Sequence, residues 1–276
     1  MKDPEIQNHI IHLYQRDMMS STINYDLQVK EERLRSVSDL ERFFFRMMSY
    51  IKPSLFVEAG ARDAKVSARA RRRVEECRIV AFEANPYTYE RFRAASWIED
   101  GNISYIHKAL SLDNSGVTFT LKSKVGGIER DKTSGDGSIN VPLDKSVETE
   151  EYLVETTTLD DEFRELKSHD TFMWVDVEGA QRQVLSGGVD FISNKVAAVF
   201  IEVEDRALWD DQWLSKDVVR FFLERGFIPY ARDYQSRYQY NIVLFSRRYA
   251  DMDYLMRSYH EYLSSSLVVG RAFSLA

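Results

Sequence analysis

The residues most able to do chemistry are carboxylates placed where short apolar runs end. Phe56-Val57-Glu58-Ala59-Gly60-Ala61-Arg62-Asp63-Ala64 is an apolar run that stops at a small-residue turn, and such a turn lets backbone amides approach a ligand closely. About 23 residues beyond Gly60, Glu83 closes the next run in Val80-Ala81-Phe82-Glu83-Ala84-Asn85-Pro86, the spacing at which an acidic side chain accepts from both ribose hydroxyls of a nucleoside. A third run, Met173-Trp174-Val175-Asp176-Val177-Glu178-Gly179-Ala180, carries two carboxylates at its mouth. Alternate residues of a strand share a face, so Asp176 and Glu178 would project together unless the departing chain rotates them apart. Glu202 and Glu204 repeat the arrangement after Val199 to Ile201. Four acids crowded into one crevice suit proton abstraction from a hydroxyl or the binding of a hard cation. The glycine turn and Glu83 would also serve NAD, but Arg62 and Ala64 stand where a G-x-G-x-x-G pyrophosphate turn wants glycine.

These groups need a frame. From Leu55 onward short apolar runs alternate with amphipathic stretches, as in a parallel sheet covered by helices on both faces. Strands are expected at Leu55–Glu58, Arg78–Phe82, Ile103–His107, Thr171–Val177, Ala197–Val203, Phe227–Ala231 and Tyr240–Phe245, seven in all. Helices are expected at Ala64–Glu76, Pro86–Trp97, Ala180–Leu185 and Ser215–Arg225, the last stopped by Gly226. Between Val117 and Leu159 the helical period vanishes, and Gly126, Gly127, Gly135 and Gly137 mark a hairpin and a long loop. Its stretch from Val125 to Tyr152 reads as a lid or acceptor-recognition element.

Met1 to Lys52 forms a helical N-terminal segment, with Ser38 and Asp39 as the expected cap of a helix running to Tyr50. Residues 53–248 make the sheet-bearing domain, and residues 249–276 a C-terminal helix, Tyr249 to Leu267, with a tail. Both terminal segments carry apolar surface that would support a homodimer. The net charge of −7, from 44 acidic and 37 basic residues, argues against a general hold on nucleic acid. The single Cys77 excludes an intrachain disulfide framework and fits a reducing compartment, with the cytoplasm as the default expectation. No cleavable leader pattern and no membrane-spanning run is expected. Trp209, Trp213, Tyr230, Tyr234 and Tyr238 are best placed in the core or an interface.

Taken in order, these blocks resemble the FkbM family of methyltransferases. The resemblance runs from Leu55 to Phe245 and rests on Val57 to Ala64, Phe82 to Pro86, Lys108-Ala109-Leu110-Ser111, Thr157-Thr158-Leu159-Asp160, Asp176 to Ala180, and Ile201-Glu202. It implies an α/β, Rossmann-like class-I methyltransferase fold, a seven-stranded mostly parallel sheet with the last strand antiparallel. It also implies S-adenosylmethionine as cofactor and O-methylation of a sugar or another small polar natural product. Carried onto this chain, Glu58, Gly60 and Ala61 would line the methionine side, with Asp63 in the same turn. Glu83 would hold the ribose beside Ala84 and Asn85, and His107 and Lys108 fall in the adenine region. Asp176 would face the methyl group and the acceptor, and Glu178 would shape the substrate side.

Methyl transfer from a sulfonium is an in-line displacement that holds the acceptor oxygen ~3 Å from the methyl carbon. Asp176 is the expected base, with Glu178 and Glu202 beside it; alternatively Asp176, Glu202 and a water would hold a divalent cation that lowers the hydroxyl pKa. The chain departs from the family pattern at Arg62, usually asparagine, at Ala64, usually glycine, and at Trp174, commonly lysine. Those departures keep a catalytically inactive binding or scaffold protein in view, and the glycine turn with Glu83 does the same for an NAD-dependent oxidoreductase.

Overall fold

The computed structural model describes residues 25–249 and 252–265. Its centre is a seven-stranded sheet built from β1 (Leu55–Ala59), β2 (Arg78–Glu83), β3 (Ile103–His107), β10 (Thr171–Val175), β11 (Val196–Glu204), β12 (Phe227–Arg232) and β13 (Gln239–Ser246). The spatial order is β12-β13-β11-β10-β1-β2-β3. All neighbours run parallel except β13, which is antiparallel to both β11 and β12. The seven expected strands are therefore all present, and β13 is the antiparallel one.

Central strands β1, β10 and β11 are buried along their whole length, so their side chains alternate between two apolar layers. Phe172, Trp174 and Phe200 face α1 (Lys30–Ile51), α2 (Lys65–Arg73) and α9 (Asp253–Ser265), packing against Phe44, Phe45 and Met47. Met173, Val175, Val199 and Ile201 face the other way, against α6 (Gln181–Ser186), α7 (Val189–Lys195) and α8 (Ser215–Glu224) through Leu185, Ile192 and Phe222. Each large side chain so buried contributes about 1.5–3 kcal/mol.

Helix α1 begins at Lys30, not at Ser38. Asp39 is unavailable as a cap because it is buried, accepts from the Tyr25 hydroxyl and pairs with Arg42. The helix ends as expected, with Lys52 left-handed before Pro53. The stretch expected as one helix from Pro86 to Trp97 is two, α3 (Pro86–Phe92) and α4 (Ser96–Glu99), broken at the extended Ala95. Trp97 is drawn inward instead, its indole N–H donating to the Asp63 carbonyl at 2.8 Å.

The region read as a hairpin with a long loop is mostly a second, antiparallel sheet. β5 (Val117–Val125) pairs with β6 (Ile128–Glu129), β7 (Gly137–Ser138) and β8 (Glu148–Val154). The sequence hid β8 because one face is bare, with Leu153 90% exposed, so no apolar alternation survives. Short β4 (Ala109–Leu110) and β9 (Thr156–Thr157) pair with each other and lead into α5 (Leu159–Glu162). Helix α9 packs on α1 through Phe43 with Tyr262, centroids 5.3 Å apart, and Tyr50 with Tyr254. Part of the apolar surface of the two terminal segments is thus used within the chain, while Leu34, Tyr50 and Met256 stay exposed. The ends of the helix expected from Tyr249 to Leu267 lie partly outside the described residues, and no described helix is long and apolar enough to cross a membrane.

Candidate active site

At the carboxyl ends of β1, β2 and β10 the chain leaves the sheet in three turns that surround one cleft. It is lined by Ala59, Gly60 and Arg62, by Glu83, Ala84 and Asn85, and by Asp176 to Glu178. Its floor is apolar, with Phe82, Leu110, Phe119 and Val184. The roof is residues 134–139 of the second sheet.

The first turn is fixed by close packing. Gly60 has φ +78°, and a Cβ there would overlap the Asp176 carbonyl oxygen. Arg62 follows, left-handed despite its side chain, with φ +47°. Its N–H donates to Glu83 at 2.6 Å and its carbonyl accepts from the Tyr105 hydroxyl, which holds the conformation. Among the described residues its exposed guanidinium makes no ion pair.

Glu83 is nearly buried, and its other oxygen accepts from the Asn85 N–H at 2.6 Å. Burial pushes its pKa up to about 7 against the opposing pull of those N–H donors. Each oxygen keeps a further lone pair with which to accept from a hydroxyl. Asn85 caps α3 by accepting from the Tyr87 and Thr88 N–H groups, while its amide nitrogen donates to the Lys132 carbonyl of the roof.

Asp176 extends the β10 ladder by one bond, its N–H donating to the Ala59 carbonyl at 2.9 Å. The chain then turns through a left-handed Glu178, φ +45°, and Gly179, φ +83°, packed against the Trp209 indole. That turn brings Glu178 back beside Asp176 and toward Glu202, so one oxygen from each of the three lies within 4.8 Å of the others. Asp176 opens on the cleft, yet the protein around it desolvates it and raises its pKa, with Glu202 and Arg62 opposing. Desolvation, then the Asp176 charge, pushes Glu178 up to about 8. Glu202 is raised well above the usual carboxylate range by burial and then by Asp176, Glu178 and Glu204. Glu204 is held further back by the Gln212 amide, at 2.8 Å.

Of the residues expected around the cofactor, Gly60, Glu83, Ala84, Asn85 and Lys108 line the cleft. Ala61, Asp63, Glu58 and His107 do not. Glu58 accepts from the backbone N–H and hydroxyl of Ser67 and so anchors α2. Asp63 pairs with Lys65 at 2.9 Å. His107 stacks on Tyr89, centroids 4.8 Å apart, and contacts the Ala84 carbonyl from behind. Trp174 is the register partner of Glu58, so both leave the sheet on the face away from the cleft. It stacks flat on Phe200 at 3.6 Å, and a lysine at its position would enter the core, not the cleft. Ser134, Gly135, Gly137, Ser138 and Ile139 belong to the Val125–Tyr152 stretch expected as a lid or acceptor-recognition element, and they line the cleft; Arg62 is the contributor that no motif assigned.

This strand order, with a single antiparallel strand inserted second from one edge and a cleft over β1, β2 and β10, is that of a class-I, Rossmann-like methyltransferase fold. A family model described as "Methyltransferase FkbM domain" matches residues 58–229, more than half of the chain, and the protein belongs to that family. No curated protein matches it in sequence. Among solved structures it is similar to the methyltransferase FkbM of Methylobacillus flagellatus, at 13% identity and a TM-score of 0.42, covering 70% of this chain and 44% of that one. The chain therefore spans less than half the length of that relative. It is also similar to a precorrin-6y C5,15-methyltransferase of Geobacter metallireducens, at 13% identity, TM-score 0.39 and coverage of 78% and 88%. A magnesium protoporphyrin IX methyltransferase of Synechocystis, solved with bound S-adenosylmethionine, matches at 8% identity, TM-score 0.40 and coverage of 76% and 80%.

Proposed function

We propose that this protein binds S-adenosylmethionine and transfers its methyl group to a hydroxyl of a saccharide or another small polar natural product. The observation that carries the reading is that Gly60, Glu83 and Asp176, from three different strand ends, line one cleft. Glu83 accepts from the ribose hydroxyls, with Ala84 and Asn85 beside it. The apolar floor at Phe82 and Leu110 takes the adenine, with Lys108 at its edge. Backbone amides of the Gly60 turn meet the methionine portion, while Glu58 and Asp63 bind Ser67 and Lys65 of α2 and so brace the turn from behind. Asp176 stands beyond the sulfonium, where it removes the acceptor proton as the oxygen attacks the methyl carbon. Polar groups of the roof, including Ser134 and Ser138, together with Glu178, suit a hydroxyl-rich acceptor.

The test is calorimetric titration with S-adenosylhomocysteine beside Glu83→Ala, followed by transfer of labelled methyl groups to a panel of glycosides. Binding that is lost in the variant, with label entering a glycoside and not entering in Asp176→Asn, is the expected result. No binding by folded protein would overturn the reading.

A further inference from the structure

We infer that Asp176, Glu178 and Glu202 form a binding site for a hard divalent cation of the magnesium or manganese kind. The inference deepens the proposed function by giving the cation the acceptor hydroxyl to polarise; the binding itself does not depend on that reading.

Three carboxylates converge from two strand ends, with one oxygen of each within 4.8 Å of the other two. Acidic clusters are common, but this one differs from the other buried carboxylates of the protein in what surrounds it. Glu58 has the Ser67 N–H and hydroxyl, Glu83 the Arg62 and Asn85 N–H groups, and Asp233 the backbone and side-chain amides of Asn241. Glu202 is only 5% exposed; its side chain meets Asp176 and Gln239, yet its Oε2 has no hydrogen-bond partner. Glu204 behind it, 1% exposed, has an unpartnered Oε1 as well. An unpaired buried acceptor keeps the full penalty of its desolvation, and more so when charged. A cation held by Asp176, Glu178 and Glu202 would give Glu202 that missing partner, and no Arg or Lys among the described residues forms an ion pair with any of the three.

The donor set is oxygen alone, with no imidazole or thiolate, which favours magnesium, manganese or calcium over zinc or copper. Asp176 lines the cleft and Glu178 is half-buried at its wall, so a cation there keeps a side open to water or to an acceptor hydroxyl. The backbone is bent to make the cluster: Glu178 occupies a left-handed conformation that an ordinary residue avoids, and that bend is what turns its carboxylate back toward Asp176. A bound cation would lower the pKa of the coordinated hydroxyl, so that its proton leaves more readily as the oxygen attacks.

The experiment is titration of the full chain with Mn²⁺ alone, followed by electron paramagnetic resonance and calorimetry, with S-adenosylhomocysteine binding measured on the same samples. One Mn²⁺ per chain, displaced by Mg²⁺ and weakened at least about tenfold in both Glu202→Gln and Glu178→Gln, is the expected result. Should the buried Glu202→Gln fail to fold by circular dichroism, the half-buried Glu178→Gln supplies the same reading. Absence of saturable Mn²⁺ binding, or binding unchanged in a folded variant, would overturn the site. If S-adenosylhomocysteine binds and Mn²⁺ does not, the site falls and the methyltransferase reading stands. If Mn²⁺ binds and S-adenosylhomocysteine does not, the site stands and that reading falls.

Discussion

Gly60 and Asp176 meet backbone to backbone: with φ +78° at Gly60, no side chain fits between its Cα and the Asp176 carbonyl. The contact joins the glycine turn, proposed to meet the cofactor, to the candidate base, so the two halves of the cleft have one fixed spacing. Gly60→Ala is expected to cost about 1–2 kcal/mol for the left-handed conformation alone, and more for the clash. S-adenosylhomocysteine affinity should fall at least tenfold, by calorimetry, and a variant that binds normally would refute the role of this contact.

Glu83 titrates near 7 in the free protein because it is buried. If its ionised form holds the ribose, S-adenosylhomocysteine binding strengthens by up to about tenfold per pH unit as pH rises toward 7 and levels off above it. Calorimetry from mildly acidic to mildly alkaline buffer measures this. Glu83→Gln should bind more weakly and show a flat profile.

Glu58 is pushed up to about 8 by burial, with its Ser67 hydrogen bonds opposing. The folded protein therefore holds a proton that the unfolded chain releases near 4.5. Folding stability contributed by this group is full below about 4.5 and declines as pH rises to about 8, by up to about 1.4 kcal/mol per unit. Urea denaturation of wild type against Glu58→Gln across that window should show the variant gaining on the wild type as pH rises; parallel curves would rule the effect out.

Trp174 belongs to the core and has no path to the cleft. Trp174→Ala should destabilise the fold by about 3–5 kcal/mol by urea denaturation. Where it remains folded, its cofactor affinity should be unchanged. Trp174→Lys, which restores the residue common in the family, should fold worse still, because it buries an unpaired charge among Phe44, Phe45 and Phe200.

Asn85 does two jobs with one amide: its oxygen caps α3 and its nitrogen holds the roof at the Lys132 carbonyl. Asn85→Asp keeps the capping oxygen and removes the donor. Hydrogen exchange should then quicken in residues 130–139 and stay unchanged in α3.

The strand frame and the glycine turn were legible in the sequence because buried parallel strands are unbroken apolar runs, and because a glycine turn with a strand-end acid at that spacing is the pattern of a nucleoside crevice, for S-adenosylmethionine or NAD alike. Glu83, Asn85 and Asp176 could be placed at the cleft for that reason. Other features depended on groups far apart in the chain. The sequence offered Glu58 as a ligand contact; register with Trp174 turned both toward α1 and α2, where Ser67 claims the carboxylate. The polar alternation of β8 gave no sign of a strand, since it is stabilised by β5 and not by burial on two faces. The sequence by itself determined which acids stand at strand ends. Only the tertiary structure decided that Asp176, Glu178 and Glu202 converge, because that depends on the left-handed turn at Glu178 and on the pairing of Val175 with Ile201, which sets one strand end beside the other.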